Sequence, residues 1–73
     1  MYHIENRFID DTGKPRAIRL KRTYKTLRDA QDFLDSKLVK AWTDEHDIIE
    51  MTPTKVVIDW FRQGSSDIYE IKQ

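Results

Sequence analysis

The hydrophobic period of this sequence changes at Thr26 from two residues to about 3.6. Residues 2–9 and 16–24 alternate apolar and polar side chains, as half-buried strands do, and the glycine-containing cluster at residues 10–15 is typical of a turn. These stretches predict a β-hairpin. From Leu27 onward, apolar residues recur at helical spacing behind the threonine cap, so the chain is predicted to continue as an amphipathic helix.

The predicted helix ends at residues 42–45, because Asp44, Glu45 and Asp47 would be unfavourable at its negatively polarised end. Its apolar stripe is expected to pack on the sheet, and we place both tryptophans, Trp42 and Trp60, in the core. The stripe consists of Leu27, Ala30, Leu34, Leu38, Ala41 and Trp42, with Phe33 and Val39 on its flanks.

Residues 53–63 fit two structures. As a helix they would follow a threonine cap, with Pro53 at the first helical position. As a strand they are rich in β-branched and aromatic residues, and Gly64-Ser65 would form a two-residue turn into a last strand. That hairpin would pair Ile58 with Ile71, Trp60 with Tyr69 and Arg62 with Asp67. The strand interpretation is favoured because all three pairs are of kinds that stabilise a sheet.

The sequence therefore predicts a single α+β domain over residues 1–73, with the order β-β-α-β-β and one helix packed on one face of an antiparallel sheet. If residues 53–63 are helical, the order becomes β-β-α-α-β. The second face of the sheet is left open. It is expected to be basic with apolar patches, and to carry His3, Glu5, Arg7, Ile9, Ala17, Arg19, Lys21, Val57, Phe61 and Ile68.

Charges are segregated along the chain although their sum is zero. Residues 12–28 contain seven basic groups and no acid, whereas residues 29–50 contain seven acids and two lysines. Such a distribution is typical either of solvated faces that neutralise each other or of a binding surface. Because the helix is predicted on the opposite face, its acids cannot readily neutralise Arg19 and Lys21, and this favours a binding surface.

No catalytic motif is present. The chain has no cysteine and only two glycines, so it offers no thiol nucleophile, no disulfide and no glycine-rich phosphate loop. The cluster at residues 44–47 lacks further ligands at a recognisable spacing, which favours a solvated helix end over a metal site. We therefore expect no enzyme activity and no cofactor. Without a signal-peptide pattern or a long apolar run, a cytoplasmic protein with no membrane contact is expected.

Residues 4–38 are similar to a known family. A strand, the turn Asp11-Thr12-Gly13-Lys14, a basic strand and the step Tyr24-Lys25-Thr26, followed by Ala30 and Phe33-Leu34, resemble the N-terminal arm-type DNA-binding domain of phage and transposon tyrosine integrases. The resemblance implies a phage or mobile-element origin and a sheet that enters the major groove of duplex DNA. The DNA-binding residues that it implies are Arg16, Arg19, Lys21, Arg22 and Lys25.

The resemblance has two departures. The family usually has three strands before the helix, whereas two fit here. Its catalytic domain has no counterpart in this sequence, so no recombinase activity is implied.

Two other partners are compatible with the sequence. A protein would use the apolar residues Val57, Phe61 and Ile68 of the open face as an anchor, with the charges as a rim. Alternatively, the same residues would form a weak homodimer. A non-catalytic binding module, with DNA as the first candidate partner, is the function that the sequence favours.

Overall fold

The computed structural model describes residues 1–10, 12–59 and 66–73, and within these ranges the chain forms five β-strands and one α-helix. In chain order the elements are β1 (Tyr2–Ile9), β2 (Pro15–Tyr24), α1 (Leu27–Thr43), β3 (Asp47–Thr52), β4 (Lys55–Asp59) and β5 (Ser66–Lys72). All strands join one antiparallel sheet in the order β2-β1-β5-β4-β3. The predicted α+β class, with one helix packed on one face of an antiparallel sheet, is confirmed.

The core lies between α1 and the covered face of the sheet. Thr26 caps the helix as predicted, because its Oγ1 accepts a hydrogen bond from the Asp29 N–H at 3.2 Å. Burial, and then the charge of Asp67, raises the pKa of the core residue Tyr69 to about 12. The buried apolar side chains are Ile4, Val56, Ile58, Tyr69 and Ile71 from the sheet and Ala30, Leu34, Leu38 and Ala41 from the helix.

The helical alternative for residues 53–63 is wrong where the structure describes them, because Lys55–Asp59 form a strand that pairs with β5. The register of this hairpin also differs from the prediction. Ile58 lies opposite Asp67 instead of Ile71, a shift of four residues (71 − 67). The Ile71 N–H donates to the Thr54 carbonyl at 2.8 Å, which holds Ile71 beside the start of β4.

A shift by an even number of residues leaves each side chain on its predicted face of the sheet. Val56 and Ile58 are accordingly buried under the helix as expected. The other predicted partners, Trp60 and Arg62, and the predicted turn Gly64-Ser65 lie outside the described residues.

The strand β3 was not predicted. The helix ends in a turn in which Glu45 has a positive φ of 61° and the His46 N–H donates to the Ala41 carbonyl at 2.8 Å. β3 then begins at once, but a bulge between Ile48 and Glu50 interrupts its alternation. The period-two pattern that reveals a strand in sequence is therefore missing.

Trp42 is not a core residue, contrary to the prediction, since 61% of its surface is exposed. Leu38 lines a groove with Met51 of β3, and Trp42, about one helical turn after Leu38, falls on the same side of α1. Because β3 is the last strand of the sheet, no further strand covers a side chain in that position.

Candidate nucleic-acid interface

β2 is an edge strand, and nearly all of its side chains are exposed. Only its inner edge is paired, with β1. Its ten residues include no acid and four cations, Arg16, Arg19, Lys21 and Arg22. The fifth predicted DNA-binding residue, Lys25, lies between β2 and α1 and is also exposed. The structure therefore places the whole predicted set along one edge of the sheet.

The hairpin of β1 and β2 extends beyond the helix at its turn end. Ile18 lies opposite Asn6, on the side of the sheet that carries the completely buried Ile4. Nevertheless, 47% of the surface of Ile18 is exposed. Both faces of β2 are therefore accessible near the turn.

Asp10 organises the turn of this hairpin. Its Oδ1 accepts hydrogen bonds from the Thr12 hydroxyl at 2.6 Å and from the backbone N–H groups of Thr12 at 2.9 Å and Lys14 at 3.0 Å. Gly13 has a φ of 82°, the left-handed conformation expected of the turn glycine.

The other carboxylate oxygen of Asp10 accepts a hydrogen bond from the Arg16 Nε at 2.7 Å. The hydrogen bonds from Thr12, then from Arg16 and Lys14, lower the pKa of Asp10 to about 2. One carboxylate thus shapes the turn and orients the first cation of β2. An aspartate at the end of a strand, ahead of a glycine, is the sequence signal that would have identified this role.

β2 contains a bulge in the segment that carries Lys21 and Arg22. Between Thr23 and Arg19, three residues of β2 face the single residue Ile4 of β1. The Arg22 guanidinium lies 5.4 Å from the centroid of the Tyr24 ring, a cation–π distance that fixes it toward the helix side.

Arg22 and Lys25 border a groove between the end of β2 and α1. The same groove is lined by Asp29 and Asp32 of the helix. These carboxylates oppose the binding of an anion on this side of the strand.

Arg19 and Lys21 form no hydrogen bond or ion pair with any residue in the ranges that the structure covers. Arg19 lies opposite Glu5 on the open face. Glu5 is instead paired with Arg7, whose Nε is 3.4 Å from the Glu5 carboxylate. The open side of β2 therefore carries cations that are not neutralised within the described part of the molecule.

The middle of the open face differs from β2, because its cations are paired. Arg7 lies between Glu5 and Glu70, with its Nη2 2.9 Å from the Glu70 carboxylate. The Lys72 Nζ is 3.3 Å from the same carboxylate. The effect of Glu70 on these cations was not predicted from the sequence. Its alternation with Ile68, which was placed on the open face, would have shown it.

Val57 and Ile68, two of the residues predicted to contact a protein, lie opposite each other on the open face and are half-buried. The third, Phe61, lies outside the described residues. The structure therefore brings together the two described members of that patch.

Among the described residues, no group of three or more His, Cys, Asp or Glu side chains is placed to hold a metal ion. Over the same ranges, no helix combines the length and apolar character that crossing a membrane requires. A comparison with protein-family models finds no match for the chain, and comparisons with curated proteins and with solved structures find none either. What the chain binds must therefore follow from the geometry and charge of its surface.

Proposed function

We propose that this chain is a non-catalytic, cytoplasmic module that binds duplex DNA through the open side and free edge of β2. The strongest support is the pair Arg19 and Lys21, which are exposed and have no acidic partner in the described ranges. A phosphate group at these side chains breaks no internal ion pair. Release of counterions from the DNA then adds to the affinity.

The shape of the hairpin supports the same ligand. Neighbouring strands are about 4.8 Å apart, and the major groove of B-DNA is about 12 Å wide and admits a two-stranded β-ribbon. The turn end of the hairpin is accessible on both faces, so it is the part that enters the groove. Arg16 is already oriented there by Asp10, and its remaining guanidinium hydrogens are free to donate to a base edge.

The five cations are expected to contribute unequally. Arg22 and Lys25 share their groove with Asp29 and Asp32, so their attraction for phosphate is reduced. Arg19 and Lys21 lie on the open side, where the carboxylate opposite Arg19, Glu5, is already paired with Arg7. DNA is therefore expected to lie along the open side of β2.

The similarity of residues 4–38 to integrase arm-type domains also supports the proposal. β5 lies beside β1 and supplies a third strand next to the hairpin, although it follows the helix in the chain. A phage or mobile-element origin is part of the same proposal.

Binding of a short labelled duplex, followed by fluorescence anisotropy at several salt concentrations, tests the proposal. The wild-type affinity should fall linearly with the logarithm of the salt concentration. Lys21→Gln should weaken binding to every sequence and reduce the salt slope by about one. Lys40→Gln removes the same charge from an exposed lysine of α1 and should leave the slope unchanged.

Two outcomes would contradict the proposal. Equal losses in Lys21→Gln and Lys40→Gln would show a general electrostatic attraction without a site on β2. A wild-type protein that binds the duplex at no salt concentration would exclude DNA as the partner.

A further inference from the structure

The opposite edge of the sheet, β3, has a surface unlike that of β2. Ile49 and Met51 are exposed over 61% and 59% of their surfaces. The exposed Trp42 falls one helical turn after Leu38, which lines a groove beside Met51, and so lies on the same side of α1. β3 contains no lysine or arginine, and lysine is one of the residues by which edge strands avoid pairing with another chain. β3 pairs with β4 on its inner side, and large apolar side chains along its free outer edge are typical of a surface that binds another chain.

We propose that β3 pairs antiparallel with β3 of a second copy of this chain. The result is a symmetric dimer with one continuous sheet. The interface is independent of DNA binding, because β2 lies at the far edge of each copy.

The sequence of β3 selects one register for this pairing. Ile48 and Met51 lie opposite the buried residues of β4 and so face the helix side, whereas Asp47 and Thr52 face the open side. When Asp47 lies opposite the partner's Thr52, Ile48 lies opposite the partner's Met51. Both faces then match, and no acid lies opposite an acid.

The neighbouring registers are unfavourable. A shift by one residue in one direction puts Glu50 opposite the partner's Glu50, a pair of like charges. A shift in the other direction puts Ile48, which faces the helix side, opposite the partner's Glu50, which faces the open side. In the selected register the two-fold axis passes between Ile49 and Glu50, so the bulges of the two strands lie side by side.

The helix flank adds a second complementary contact. A groove of about 490 Å³ lies between α1 and the β3–β4 hairpin, and Leu34, Leu38 and Met51 contribute to its lining. It lies beside the Met51 end of β3. Trp42 lies toward the Asp47 end, where the helix turns into β3. Because antiparallel pairing reverses the second copy, the partner's Trp42 is brought to this groove.

An alternative arrangement pairs β3 of one copy with β2 of a second copy, since these two edges have opposite charges. Pairing between two different edges is a head-to-tail contact, however, and it builds an open-ended chain unless its rotation closes the copies into a ring. That arrangement would also place Ile49 and Met51 beside arginine and lysine side chains. The self-complementary apolar contacts therefore favour the closed dimer.

Cysteine cross-linking tests the register, since the natural chain contains no cysteine. In the variant Asp47→Cys/Thr52→Cys, thiols lie opposite each other across the interface, where paired Cβ atoms are about 4.5–5.5 Å apart. We expect mild oxidation to produce a covalent dimer. Within one chain the two positions are roughly 16 Å apart, too far for an internal disulfide. Asp47→Cys alone is the matched control and should remain largely monomeric on a denaturing gel.

Sedimentation analysis measures the association itself. The wild-type protein should form a dimer as its concentration rises, and Ile49→Lys should weaken the dimer at least about tenfold. Circular dichroism should show an unchanged fold in that variant, since Ile49 is exposed. Ile18→Lys, the same substitution at an exposed isoleucine of β2, should leave the association unchanged.

A wild-type monomer at every concentration would overturn the proposal, and so would polymers that lengthen with concentration. Equal effects of Ile49→Lys and Ile18→Lys, or a dimer whose double-cysteine variant fails to cross-link, would place the interface elsewhere.

Discussion

The two edge strands of the sheet, β2 and β3, differ in charge and in apolar surface. β2 carries four cations and no acid, and a carboxylate holds its turn and its first arginine in place. β3 carries two acids and no cation, and its Ile49 and Met51 side chains are exposed. Closely spaced cations repel a second copy and attract a polyanion, whereas an apolar edge favours pairing with another strand. One sheet therefore presents two unlike binding edges.

This difference shows why the sum of the charges is a poor guide to partners. The chain is neutral overall, and its central strands pair their charges across the open face. At one edge of the sheet Arg19 and Lys21 are left without an acidic partner in the described ranges, and at the other edge Ile49 and Met51 are left exposed. The kind of partner that each edge binds is therefore determined by the side chains of that edge.

The largest effect is expected in the core that supports both edges. Leu34→Ala should lower the free energy of unfolding by about 2–5 kcal/mol, because Leu34 is almost completely buried. Leu27→Ala, on the same helix but at a partly exposed position, should cost less than about 1 kcal/mol. Urea unfolding followed by circular dichroism measures both values. Similar losses in the two variants would contradict the described helix face, and separate transitions would show that the two edges fold independently.

The two junctions between α1 and the edge strands should respond with opposite signs. Thr26→Ala, on the β2 side, removes the cap of the helix and should destabilise the domain by about 1 kcal/mol. Glu45→Gly, on the β3 side, relieves a left-handed backbone and should stabilise it by about 0.5–1 kcal/mol. Thermal unfolding of both variants checks the signs. A loss of stability in Glu45→Gly would show that the Glu45 side chain contributes more than its backbone costs.

The smallest effect is local and depends on pH. The pKa of Asp10 in the folded protein, about 2, lies below the ordinary value of 3.8. Its contribution to the turn is therefore fully present above pH 3.8 and is lost as the pH falls toward 2. The amide NMR signals of Thr12 and Lys14 should shift with a midpoint near pH 2, and Asp10→Asn should abolish the shift. A midpoint at the ordinary value would mean that the carboxylate does not hold the turn and Arg16.

The centre of the fold could be predicted from the sequence, and the β3 edge could not. Around Ile4 and Leu34, burial on one side imposes a regular period, so the hairpin and the helix are visible in the pattern. β3 escapes detection because its bulge breaks the alternation. The prediction that Trp42 is buried was wrong for a related reason. Helical periodicity indicates which side of the helix faces the sheet, but it does not indicate how far the sheet extends under the helix.

The cations of the candidate site could be proposed from the sequence, because an exposed side chain does not depend on contacts with distant residues. The neutralisation of Arg7 could not, because its partner Glu70 is 63 residues away in the chain. The role of Asp10 lies between these cases, since its contacts are local and its turn was predicted while its bond to Arg16 was not. Contacts within a few residues are thus open to prediction, and ion pairs across the sheet depend on the register.

The pairing of β1 with β5 has a consequence for the order in which the molecule forms. His3 lies opposite Lys72, so two strands from distant parts of the chain meet in the middle of the sheet. During synthesis on the ribosome, the hairpin and the helix emerge while the inner side of β1 still has no neighbour. Contacts between such distant residues are slow to form, because a long loop must be closed first. The halves of the sheet that carry the two edges are therefore joined only when β5 arrives, and until then a newly made chain has an additional open strand that other chains can reach.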